Sequence, residues 1–125
     1  MDKKTFDKGV EVRTALTSSD IPLPTVWEAI KSSAGNSWVV EHDVPSIFAG
    51  HYDPSFSLAL CCKDLGLINE IAEAQGYHLP MGSHALTLFE KAKTVYGPDA
   101  AELHVVKLLE DKVGHYLRSS VKAEG

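Results

Sequence analysis

The chain has 125 residues, of which 44% are apolar and 23% charged, with a formal net charge of −5. That length supports one domain with a core of its own, and the balance excludes a disordered or fibrous chain. The negative charge offers no broad basic surface to a nucleic acid, and no apolar run reaches membrane-spanning length.

Taken in chain order, the first residues, "MDKKTFDKGVEV", lack the apolar segment of a secretory signal, so a soluble, cytoplasmic protein is expected. Residues 6–18 mix apolar and polar positions at roughly helical spacing, with Gly9 a weak point. "SSDIPLP" breaks the pattern, and Pro24 or Thr25 opens a short helix with Val26, Trp27 and Ile30 near one face. Residues 34–46 read as irregular at first, then helical around Trp38–His42. Residues 49–56 read as a loop with a turn at Asp53-Pro54, and Ser55 is placed to cap the next helix.

That long helix is expected over about residues 55–75. Leu58, Cys61, Cys62, Leu65, Ile68 and Ala72 form one stripe, and Leu60, Leu67 and Ile71 carry it round the cylinder. Such a helix reads as central and wrapped by others. Gly76 is placed to end it. Another helix spans about residues 81–95, with Leu86, Phe89 and Ala92 at helical spacing. Asp99 is a candidate cap for the closing segment 101–120, where Leu103, Val106, Leu109, Val113 and Leu117 face inward. The tail from Val121 is expected to fray. Strand signals, repeats and linkers are absent. The chain reads as a single all-α domain over 1–125, a bundle of about five or six helices.

Few residues in this pattern carry chemistry. Lys63 lies on the long helix with Ala59, Leu67 and Glu70 as neighbours one and two turns away, and Gly66 beside it. A lysine there either extends its charge to water or faces a cleft that holds an anion. Asp64, between Leu60 and Ile68, reads as a structural hydrogen-bonding carboxylate. The loop "SAGNSW" either presents amides to an oxygen-rich ligand or is a tight turn satisfied by Asn36. Cys61 and Cys62 are adjacent and point in different directions, so they read as buried thiols without a bridge. The six histidines are scattered, no zinc-type spacing occurs and Glu70 and Glu73 lack a second carboxylate pair, so no metal site is expected. No glycine-rich phosphate-binding fingerprint occurs either.

From Ser33 to Leu109 the chain resembles the C-terminal helical domain of the β-hydroxyacid dehydrogenase family. The resemblance runs through "GNSW", "YDPSF" (52–56), "KDLGL" (63–67), "GYHLP" and "ALTLFEKAKTVYG", in order and spacing. It implies a fold like the C-terminal domain of 6-phosphogluconate dehydrogenase. It implies hydride transfer between NAD or NADP and a small hydroxyacid, as in 3-hydroxyisobutyrate dehydrogenase. The helical domain would close the cleft and support a homodimer. By this resemblance Lys63 contacts the cofactor at its nicotinamide end, Asp64 supports it, Phe56 borders the nicotinamide, and Asn36 and Ser37 lie on the substrate side.

The departures weigh as much. No Rossmann domain, interdomain lysine or partner asparagine is recognisable, Lys3 and Lys4 do not stand in the family's context, and Asp20 replaces the usual glycine. No catalytic residue is therefore assigned, and the chain alone is expected to be inactive and to bind no cofactor. It is either an expressed fragment or a natural short product. The alternative is a free-standing helical module that dimerises or binds a small acid or a protein, without catalysis.

Overall fold

Pro22 and Pro24 fix the backbone where the first helix starts, since proline at a helix's first turn loses no internal hydrogen bond. In the computed structural model, which describes residues 21–120, six helices follow: α1 (Leu23–Lys31), α2 (Trp38–His42), α3 (Val44–Ala49), α4 (Leu58–Ala74), α5 (Pro80–Tyr96) and α6 (His104–Val113). Among the described residues the architecture is all-α, and an isolated bridge, Ser57 with Ala101, is its one extended pairing. The expected helix at 6–18 and the fraying tail from Val121 lie outside the described residues.

Trp27 of α1 is buried and sets the first packing layer. Its indole Nε1 donates to the Val40 carbonyl at 2.7 Å, its ring meets Phe48 edge-on, and Lys31 lies over its face at 3.6 Å. Ser37 caps α2 by accepting from the Val40 amide at 3.1 Å. α3 buries Ile47 and Phe48 and ends at Gly50, whose φ of +82° suits glycine. Ile47, Tyr52, Ala101 and Leu103 form a buried cluster, with Val106 and Leu117 packed against it.

α4 and α5 form a hairpin that packs face to face. Leu58, fully buried, and Cys61 and Cys62 make the inner face of α4; Ala92 is the buried contact of α5. The Asn69 side chain donates to the Leu65 carbonyl at 2.8 Å and to the Gly82 carbonyl at 3.2 Å, tying the two helices. A Cβ on Gly82 would stand 3.4 Å from Asn69 Oδ1 of α4, so the two helices approach closely at this glycine.

Beyond α6 the chain turns back at Gly114, with φ +72°, and is clasped. Glu110, 3% exposed, accepts from the Tyr52 hydroxyl at 2.5 Å, the Leu117 amide at 2.7 Å and Arg118 Nη1 at 3.1 Å. Arg118 Nη2 donates to the Tyr52 hydroxyl at 2.7 Å. One position on, Asp111 accepts from the hydroxyls of Tyr96 and Tyr116 and from Lys107 Nζ, at 2.5, 2.7 and 2.8 Å.

Five expectations are corrected. α3 occupies part of what reads as irregular chain. α4 begins at Leu58, capped by Ser57 through the Leu60 amide; the Ser55 amide instead bonds the Asp53 carboxylate at 3.1 Å. Asp99 caps nothing, since α6 begins at His104 without a side-chain cap, and the helix stops at Val113 because Gly114 turns left-handed. Finally, α4 is not wrapped: Leu60, Leu67 and Ile71 are 47%, 47% and 65% exposed.

Candidate functional site

Because α4 commits one face to α5, its opposite face is left to the outside. Lys63, Gly66 and Glu70, at helical steps of three and four, stand on this side next to Leu60 and Leu67. Lys63 is exposed and makes no hydrogen bond or ion pair with any described residue. A Cβ on Gly66 would meet nothing within 4 Å. The result is one cation on an open surface, bordered by leucines and with a bare backbone patch beside it.

Asp64 is also exposed and accepts no hydrogen bond among the described residues, so it is not the structural carboxylate its neighbours suggest; Leu60 and Ile68 are themselves exposed. Consecutive helical side chains diverge, so its influence on Lys63 runs through the field rather than through contact. Phe56 is half-buried just before α4, its carbonyl accepting from the Glu102 amide at 2.8 Å.

Asn36 and Ser37 sit in the turn between α1 and α2 and are engaged locally. Asn36 Nδ2 donates to Glu41 at 2.8 Å, and its Oδ1 accepts from the Ser37 amide at 2.9 Å. Both side chains are exposed and each keeps a donor hydrogen to spare. α2 packs on α1 and α3 whereas α4 packs on α5, so this turn and Lys63 belong to different helix groups. Trp38, which closes the "SAGNSW" stretch, is 66% exposed, its ring stacked on His42 at 4.3 Å. The four-residue spacing of the two rings in a helical stretch is the signal that points to it.

The concave feature lies elsewhere. A cavity of about 510 Å³ opens between α1, α3 and α6, with apolar walls that include Val26, Ile30, Ile47, Phe89 and Val106. Two carboxylates, Asp43 and Glu102, line it, and no lysine, arginine or histidine does. Burial first, then the neighbouring acid (Asp53 for Asp43, Asp43 for Glu102), pushes both carboxyls above their ordinary values. Lys63, Phe56, Gly66, Glu70, Asn36 and Ser37 are not among its walls, so the expected groove around Lys63 is not this cavity.

Nucleophilic chemistry finds no support at the α4 face. Cys61 and Cys62 are free thiols buried on the other side, and burial together with Glu102 pushes Cys61 up to about 12. Among the described residues no group of three or more histidines, cysteines or carboxylates could hold a metal, and no helix is long and apolar enough to cross a membrane. The face can hold an anion against Lys63 and cover it with apolar surface. No glycine-rich loop for phosphates accompanies it in the sequence.

Residues 8–109 match the family described as NAD-binding of NADP-dependent 3-hydroxyisobutyrate dehydrogenase. L-threonate dehydrogenase of Escherichia coli K12 is 33% identical over 92 residues, 73% of this chain and 30% of the relative. A probable 3-hydroxyisobutyrate dehydrogenase of Mycobacterium tuberculosis H37Rv is 33% identical over 86 residues, 63% of this chain and 28% of the relative. The crystal structure of 3-hydroxyisobutyrate dehydrogenase from Salmonella typhimurium superposes with a TM-score of 0.69 at 28% identity, covering 82% of this chain and 36% of that one. The chain thus spans about a third of the length of the relatives it matches. With the family match running over most of the chain and the all-α fold in agreement, the chain belongs to the family described as NAD-binding of NADP-dependent 3-hydroxyisobutyrate dehydrogenase.

Proposed function

We propose that this chain is the helical, cofactor-facing part of an NAD(P)-dependent β-hydroxyacid dehydrogenase. The open face of α4 around Lys63 covers the nicotinamide end of a dinucleotide held by a separate Rossmann domain. The carrying observation is that Lys63 is exposed and unpaired among the described residues, on a helix face whose leucines are left open. Covering that face would expel water and strengthen the lysine's attraction for an oxygen of the bound reactants. The cofactor supplies the hydride chemistry; the chain's residues orient and enclose. Asp64 tempers the field at Lys63, Phe56 borders the nicotinamide, and Asn36 and Ser37 direct their spare donors at the hydroxyacid.

On this reading the chain alone does not catalyse hydride transfer, because neither a dinucleotide platform nor a positioned acid–base group accompanies Lys63. A homodimer that buries apolar faces of the outer helices, where Met81 and Val95 are exposed, also suits this chain, since apolar patches of this kind are usually covered. The test is made in a complete protein, with this domain behind a dinucleotide-binding one. Lys63→Ala is expected to lower kcat/KM at least about tenfold, or about 1.4 kcal/mol of transition-state binding. An unchanged kcat/KM would remove Lys63 from the site. For the chain alone, turnover of small β-hydroxyacids with NAD or NADP that scales with protein concentration would overturn the inactivity. A monomer mass in sedimentation equilibrium at tens of micromolar would overturn the dimer.

A further inference from the structure

The turn before α4 is held against its own backbone preference. Tyr52 and Asp53 stand consecutively at φ +57° and +33°, the left-handed region that a bulky side chain enters only at a cost. A turn alone would be made more easily by glycine or asparagine. What keeps Tyr52 there is the far end of its side chain. The hydroxyl donates to Glu110 and accepts from Arg118 Nη2, and the ring centre lies 4.8 Å from that of His104.

Between this joint and α4 there is little slack. The Ser55 amide donates to the Asp53 carboxylate, the Phe56 carbonyl accepts from the Glu102 amide, and Ser57 caps the first turn of α4. The direction taken at Tyr52 and Asp53 is therefore passed to Phe56 and to the helix that carries Lys63. Tyr52 is buried, so it acts through this connection and not by touching a bound molecule.

We propose that Tyr52 is a positioning residue: its hydroxyl, locked between Glu110 and Arg118, holds the strained turn and so sets Phe56 and the first turns of α4 at the angle the dinucleotide meets. The inference rests on the reading of Phe56 and Lys63 as the cofactor-facing wall. Geometry is what such a wall contributes, and small misplacements of it reduce turnover steeply.

Tyr52→Phe opens the lock and keeps the ring. In the chain alone, the Leu58, Ala59 and Glu102 amides should exchange with deuterium at least about tenfold faster, while amides in the middle of α5 change less than about twofold. Unchanged exchange at those three amides overturns the proposal. In a complete protein, with this domain behind a dinucleotide-binding one and at a temperature where the variant is folded, kcat should fall about tenfold with KM within about twofold. Arg118→Gln opens the same lock from the other side; it should give the same loss, and the double variant no more. Val106→Ala, which trims the core cluster beside Tyr52 without touching the hydroxyl, should leave kcat unchanged. Equal losses in Tyr52→Phe and Val106→Ala overturn the proposal in favour of plain stability. An unchanged kcat in Tyr52→Phe, where Lys63→Ala lowers kcat/KM, overturns it and leaves the wall standing. An unchanged kcat/KM in Lys63→Ala removes the wall and the proposal with it. If Tyr52→Phe does not fold, Arg118→Gln decides by the same outcomes.

Discussion

The open face of α4 and the clasp beyond α6 are built on opposite terms. Around Glu110 every charge has partners from the chain itself: the Tyr52 hydroxyl, the Leu117 amide and Arg118. Around Lys63 none of the charges is paired among the described residues, and large apolar side chains stand open beside them. The clasp explains its own residues through stability. The α4 face does not: its charged residues are not tied to the rest of the described fold.

Mutations can break this contrast. Glu110→Ala should have the largest effect, about 3 kcal/mol in urea unfolding, because it removes the acceptor of the Tyr52 hydroxyl and the Leu117 amide and the ion-pair partner of Arg118 together. A loss below about 1 kcal/mol would show that water replaces the carboxylate and that the clasp is ornamental. Tyr52→Phe removes one hydroxyl from the same group and should cost about 1 kcal/mol.

Asp111 sharpens the contrast through pH. Hydrogen bonds from Lys107, Tyr116 and Tyr96 hold its carboxyl well below the ordinary range. A depressed folded value means the contribution is fully present above the unfolded pKa, about 3.9, and is lost as pH falls through the folded one. Asp111→Asn should therefore lower stability at neutral pH and flatten the acid limb below about pH 4, measured by urea midpoints across pH. Because the group is exposed, the effect should shrink in high salt. An unaltered acid limb would take Asp111 out of the clasp.

Lys63→Ala should have the smallest effect, within about 0.5 kcal/mol in the chain alone. A loss of several kcal/mol would place Lys63 in a buried network and erase the distinction between the two regions.

How much of this the sequence discloses depends on distance along the chain. α4 and α5 are legible because their apolar spacing and Gly76 are local signals. α3 is not, because "DVPS" carries a proline that looks like a break, although a proline in a helix's first turn disturbs nothing. The end of α6 misleads because Leu117 keeps helical spacing while reaching the core from the returning chain. Lys63 can be singled out, but not the openness around it: Leu60, Leu67 and Ile71 look the same whether their own domain or another covers them. Tyr52 and Glu110 are joined across 58 positions, and no local pattern announces such a pair.

One small feature bears on time rather than energy. Just before α4, the chain pairs with the segment leading to α6: the Leu58 amide donates to the Ala100 carbonyl, Ala59 to Pro98, and the Glu102 amide to Phe56. This knot can close only after the α4–α5 hairpin has folded back and brought both segments together. Nucleation of helices is fast, whereas joining distant segments sets the pace. The chain should therefore fold more slowly than a bundle of simple helical hairpins, with the hairpin formed early and the knot, the Tyr52 corner and the clasp arriving last.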